Sequence, residues 1–456
     1  MPFALRQLPA PAAAPLPAPA PLPAAEYERR CAELYAAASA DWVAVYGDRE
    51  HAANLTFCSG FDPRFEEALL LLGPGGRRVL LVGNECEGYV PAAAGLPVEV
   101  ALCQSFSLMG QTRSQAPSLV AVLRGAGIGA GQRVGVVGWK YLEPAESDTP
   151  EAPAFVPALV RDALAAAVGA AGGLRDATAA LMHPTGGLRH RNGAAQIALF
   201  ADMAARASSA VLRVVRGTRP GMSEREAAAL YGYQGDPMSC HLMLSGAGPD
   251  EPVVGLRSPR ERRLAEGDGI TTALGLQGSL CCRAGVLQAA PDEAFVERYV
   301  APYFGALAAW WGALRIGVSG GELHRVVHEA LRGAAFAPAL NPGHLIGHDE
   351  WTHTPVRPGS AEPLASGMLL QCDIIPAPLP NGRALNCEDT VAIADAALRA
   401  ELRASSPELY AQIEARRAHM REVLGITLAE EVLPLSVAPA YLMPFWLAPD
   451  LVCTQA

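Results

Sequence analysis

The chain has 456 residues, a formal net charge of -10, a hydrophobic fraction of 50% and a charged fraction of 18%. That apolar content supports large cores and excludes disorder as the main state. The acidic balance, without any block of lysines or arginines, excludes nucleic acid and anionic membrane as expected partners.

Residues 1–25 are almost entirely Ala, Pro and Leu. Their prolines forbid a helix, so the stretch reads as a disordered or polyproline-like tail. It lacks the charged and continuous apolar regions of a secretory signal. From residue 26, "EYERRCAELYAAASA" is amphipathic and helical, and "DWVAVYG" follows as a strand. "EEALLLLG" and "RRVLLVG" are apolar runs bounded by turn residues, as in buried strands. "APSLVAVLRGAG" reads as a helix, "RVGVVGW" as a strand and "AFVPALVRDALAAAVGAA" as a helix. This alternation defines a first α/β domain over residues 26–185. The glycine-rich "GAGIGAG" at 125–131 follows a helix and precedes a strand, the reverse of a dinucleotide loop, so it reads as a helix end and turn.

A second domain, 186–430, opens with the long helix "AAQIALFADMAARASSAVLRVVRG". "RPGMSEREAAALYGY" begins the next helix, with Ser223 as N-cap and Glu226 completing a capping box. "HLMLSG" and "GITTALGL" read as strands. A helical stretch at 293–315 carries Trp310 and Trp311, which suit either a subunit contact or a core. "SGGELHRVVHEALRG" is a capped helix that places His324 and His328 on one face, with no third metal ligand suggested by spacing. "MLLQCDIIP" and "EDTVAIAD" read as strands, and a helical segment follows. Residues 431–456 are expected to be a C-terminal extension. No run approaches the roughly 20 apolar residues of a membrane span. The ten cysteines are scattered, apart from adjacent Cys281 and Cys282. They read as reduced thiols of a cytoplasmic protein rather than a disulfide framework.

"NPGHLIGHDEWTHTP", residues 341–355, concentrates three histidines and two acids. It is not a zinc-protease helix, which needs two histidines four apart with a glutamate after the first. His348 and His353 are five apart, and Asp349 follows His348.

Five segments occur in the order of a known family. "RPGMSEREA", "LAEGDGITTALG", "GHLIG", "LASGMLLQCDIIP" and "NCEDTVAI" resemble landmarks of the pita-bread family, which includes methionine aminopeptidase, aminopeptidase P, prolidase and creatinase. "DWVAVYGDREHAANLTFCSGF" resembles the α/β domain preceding the catalytic domain in aminopeptidase P and creatinase. The resemblance covers about residues 26–400. It implies an α/β N-terminal domain followed by an α+β pita-bread domain.

Metal-dependent members of the family hold two divalent ions with two Asp, one His and two Glu. The resemblance carries the histidine onto His344 and the glutamates onto Asp373 and Glu388. The aspartate positions fall on Ala273 and on Leu280 (Ala284 if no gap is allowed), which bind no metal. Two ions are therefore not expected. The implied site is reduced to one divalent ion (Mn, Zn or Fe) or to none, as in creatinase. Cys281 or Cys282 could add a thiolate, although two small residues filling a strand is the plainer reading. His344, His353 and His241 are the candidate catalytic bases, with Asp373 and Glu388 orienting them. His353 matches the family's substrate-contacting histidine displaced by a two-residue insertion. Asp349 and Glu350 lie on that insertion, as a solvated or substrate-selecting loop.

The implied function is a hydrolase of the Xaa-Pro aminopeptidase/creatinase type, acting on an amide or C–N bond of a small amino-acid-like molecule or dipeptide. The alternative is a non-catalytic homologue that binds a ligand or partner. A homodimer is the family-based expectation.

Overall fold

The computed structural model describes residues 3–11 and 17–455. The chain forms two compact units, one of residues 21–190 and the other of 191–456 together with the segment before Pro21. The boundary thus follows His190, five residues beyond the one expected from sequence.

The first unit is built on six strands: β2 (Trp42–Gly47), β3 (Ala68–Leu72), β4 (Arg78–Val82), β5 (Glu99–Leu102), β6 (Arg133–Val137) and β7 (Gly173–Asp176). Their spatial order is β5-β4-β3-β2-β6-β7. β3 runs antiparallel to β2 and β4, and the other neighbours are parallel. Side chains alternate across a strand, so Val43 and Val45 enter one core while Trp42, Ala44 and Tyr46 enter another. Because helices cover both faces, the central strands β2 and β3 are apolar without interruption, as the sequence shows.

The second unit carries an antiparallel sheet. Its strands are β8 (Met243–Ala247), β9 (Gly269–Leu276), β10 (Ser279–Val286), β12 (His344–Leu345), β13 (Leu369–Cys372), β15 (Asn386–Ile393) and β16 (Val432–Pro434). The path runs β12-β13-β15-β10-β9-β8, with β16 also paired to β15. A short ladder of β11 (Ala337–Pro338) and β14 (Pro376–Ala377) lies outside it. Helix Ala194–Gly217 packs across β9 and β10. Ser223 and Glu226 form the expected reciprocal capping box. Trp310 and Trp311 are both fully buried, with rings edge to face at 5.4 Å, so they serve the core.

Both ends of the chain depart from expectation. Phe3–Gln7 is not part of a disordered tail: as β1 it pairs antiparallel with β17 (Leu451–Gln455). Phe3 and Leu5, two residues apart, present their side chains to the main core. Residues 12–16 of the proline-rich stretch lie outside the described residues. Residues 431–456 are no appendage either. Tyr441, Leu442, Phe445 and Trp446 are fully buried in the second unit's core. Among the described residues, no helix is long and apolar enough to cross a membrane.

One buried ion pair joins β10 to β15. Arg283 Nη2 donates to Asp389 Oδ1 and Oδ2 at 2.9 and 3.0 Å, and to the Ala438 carbonyl at 2.8 Å. Its Nη1 donates to the Cys282 and Glu388 carbonyls at 2.8 and 2.9 Å. Asp389 also accepts the Ala440 N–H at 2.8 Å. Removing one partner leaves a desolvated charge, so Asp389→Ala should cost about 3–5 kcal/mol in urea unfolding. Adding Arg283→Met should recover part of that loss; full additivity of the two changes would contradict a coupled pair.

Candidate active site

The site begins with strand alternation. β15 sends Asn386 and Glu388 to one face of the sheet and Asp389 to the other. Register extends the row: Met243 pairs with Ala273, Ala273 with Cys282, and Cys282 with Glu388. Cys372 pairs with Asp389, which puts Asp373 at the end of β13, beside Glu388. These residues line a cavity of about 550 Å³ in the second unit.

His344 enters from β12, paired with Gln371. The residue before it, Gly343, has φ +127°, and a Cβ there would stand 2.8 Å from the Gln371 carbonyl oxygen and 3.1 Å from the Trp310 ring nitrogen. Glycine is therefore required to bring His344 this close to β13. Donor atoms of His344, Asp373 and Glu388 all lie within 4.8 Å of one another, and all three residues are buried. His344 Nε2 is 3.8 Å from Glu388 Oε1 and 3.1 Å from Glu350 Oε1. Even so, Nε2 of His344 and Oδ1 of Asp373 are buried without an aligned hydrogen bond. Glu350 stands within ion-pair distance of that nitrogen.

Burial alone would lower the pKa of His344, but Glu350 and Glu388 outweigh it and push the imidazole up to about 10. Burial pushes Asp373 up to about 6, with His344 pulling it back and Glu350 adding to the rise. Burial also drives Glu388 well above the usual carboxylate range, reinforced by Asp373. Three carboxylates around one imidazole carry an excess of negative charge that a cation would balance. Buried charges are normally paired or metal-bound, so unbonded Nε2 and Oδ1 atoms in one cluster fit a divalent ion.

Residues 200–395 match the family model "Metallopeptidase family M24". The second unit is thus similar to the catalytic domain of that family. Solved structures share the fold. The prolidase of Pyrococcus horikoshii aligns with TM-score 0.62 at 16% identity, covering 81% of this chain and 95% of that one. The X-Pro aminopeptidase of Thermotoga maritima gives 0.62 at 14%, covering 91% and 98%. An Xaa-Pro dipeptidase of Bacillus anthracis gives 0.60 at 15%, covering 81% and 94%. These likenesses establish the pita-bread architecture, an α/β domain followed by an α+β domain. No curated protein matches the chain.

The second unit brings some of the sequence candidates together and leaves others apart. His344, Asp373 and Glu388 meet, and Glu350 and His241 share their cavity. His241 is exposed on the wall, with Nε2 2.7 Å from the Leu256 carbonyl. His353 and Asp349 do not line the cavity. His353 instead joins β12 through its backbone, its carbonyl accepting the Leu345 N–H at 2.7 Å. Asp349 accepts the Thr352 hydroxyl at 2.9 Å. His324 and His328 stack at 4.1 Å on their helix, outside the cavity.

Residues 348–351 fold back on the second unit, with Trp351 still partly exposed. Trp351 lies flat on the His344 ring, centroids 4.1 Å apart and planes 17° from parallel. His348 meets Phe200 edge-on at 5.3 Å. Sequence reasoning gave Trp351 no role, although it stands seven residues after His344, where the resemblance places a histidine. It also passed over the cavity wall of Pro376, Pro378 and Pro380, visible as "PAPLP".

Cys281 and Cys282 divide between the two faces. Cys282 faces the cavity opposite Glu388, whereas Cys281 lies on the core side near Arg283. Burial pushes the Cys282 thiol far up, with Glu388 adding to it. Cys240, also at the cavity, is pushed up to about 12 by burial, with Glu350 and Glu388 contributing. The thiolate is the reactive form, so iodoacetamide at pH 8 should modify less than about one thiol per native chain. All ten should react in urea. Rapid native modification of Cys282, located by peptide mass mapping, would contradict this environment.

Proposed function

We propose that the protein is a hydrolase of the Xaa-Pro aminopeptidase/creatinase type with a reduced metal site, cleaving an amide of a small amino-acid-like molecule or dipeptide. The carrying observation is the convergence of His344, Asp373 and Glu388 within 4.8 Å at a mainly apolar cavity. These three residues would hold one divalent ion, with ligand positions left for water and substrate. Such an ion supplies Lewis acidity toward a carbonyl and lowers the pKa of water.

The remaining work belongs to the protein. Leu256, Leu340, Ile375, Leu379 and Leu385 line the cavity and suit small apolar side chains. Trp351 covers the His344 ring and limits its rotation. His241 is positioned on the wall to exchange a proton with a leaving amine once substrate displaces its contact with Leu256.

Elemental analysis of protein purified without chelator should find about one equivalent of Mn, Zn or Fe. A panel of dipeptides and amino-acid amides should contain a substrate whose kcat/KM falls at least about a hundredfold in His344→Ala. Absence of metal together with activity that survives chelator would favour a metal-free hydrolase. The second reading, a non-catalytic homologue, is favoured by Ala273 and Leu280, which place no ligand on the cavity face. It would prevail if the whole panel were left intact by the wild-type protein.

A further inference from the structure

The insertion that follows GHLIG adds one carboxylate to the place where the strands have lost two. Glu350 lines the same cavity as Asp373 and Glu388, and its Oε1 is 3.1 Å from His344 Nε2. That nitrogen is the ring atom able to bind an ion, because Nδ1 is turned toward the Leu345 carbonyl at 3.3 Å. The approach is held on both sides. His348 packs against Phe200 before Glu350, and Trp351 stacks on His344 after it.

We propose that Glu350 is a fourth protein ligand of the ion held by His344, Asp373 and Glu388. The proposal rests on the single-ion reading above. The donor chemistry supports it. His344 and the two strand carboxylates only neutralise a dication, in a pocket that must also compete with water for it. A third carboxylate raises the charge attraction and fills a coordination position. The resulting set of one imidazole and three carboxylates suits Mn, Co or Zn rather than a soft ion. The alternative is a plain Glu350–His344 ion pair, since the two groups stand 3.1 Å apart; that spacing also suits two ligands of one ion, and the titration below separates the two. The site would then be assembled from two sources: a rigid sheet for Asp373 and Glu388, and a surface insertion for Glu350.

The test is titration of metal-free protein with Co(II), followed by calorimetry and visible absorption. Wild type should bind one equivalent. Glu350→Gln should bind more than about tenfold more weakly, with an altered absorption band, while Glu329→Gln, an exposed carboxylate on helix Gly320–Ala330, stays at wild-type affinity. If Glu350→Gln matches wild type in affinity and spectrum, the role given to Glu350 is wrong and the single-ion reading stands. If wild type takes up no Co(II), the single-ion reading fails and Glu350 with it. Should Glu350→Gln not fold, a crystal structure of Zn(II)-loaded wild type decides. A Glu350 oxygen at about 2.0–2.2 Å from zinc supports the proposal, and a separation beyond about 3 Å overturns it.

Discussion

The two faces of one strand carry the organisation of this protein. Along β15, consecutive acids point in opposite directions: Glu388 into the cavity and Asp389 into the core against Arg283. Alternation is a geometric property of extended chain, so the two positions cannot be separated. A shift of register by one residue would bury Glu388 beside Arg283 and turn Asp389 toward the cavity. The Arg283–Asp389 pair therefore does more than join β10 to β15. Its many hydrogen bonds accept only one register, and that register sets the depth at which Glu388 stands.

On the cavity face the balance of charge is reversed. Behind the sheet, one guanidinium answers one carboxylate. In front, Asp373, Glu388 and Glu350 surround a single imidazole. The two aspartate positions of the resemblance are filled by small or apolar side chains, which lightens the repulsion without removing it. The cavity face is not ordinary core. Leu280, Cys282 and Ala284 line it as hydrocarbon or thiol, while the buried acids remain.

Much of the fold was legible because its signals are local or ordered. The first sheet announces itself in uninterrupted apolar runs, and the second domain in five landmark segments and a capping box at Ser223. His344, Asp373 and Glu388 could be named because each sits in such a segment. What escaped depends on contacts distant in sequence. Phe3 and Leu5 alternate over too few residues to outweigh the prolines after them, and their partner strand lies some 450 positions away. The insertion carries no periodicity, so its closure over His344 could not be read from "HDEW". His353 was a reasonable candidate by motif, yet its place is fixed by a backbone pairing with Leu345 that spacing does not encode.

The pairing of β1 with β17 gives the protein a seam between its two ends. Phe3 also meets Phe304 edge-on, with ring centroids 6.3 Å apart. A shortened gene product beginning after the proline-rich stretch would leave β17 with a bare row of backbone donors and acceptors beside uncovered apolar surface. Such an edge is a template for pairing with other chains. The segment that looks most dispensable in the sequence thus covers an edge that would otherwise stand open.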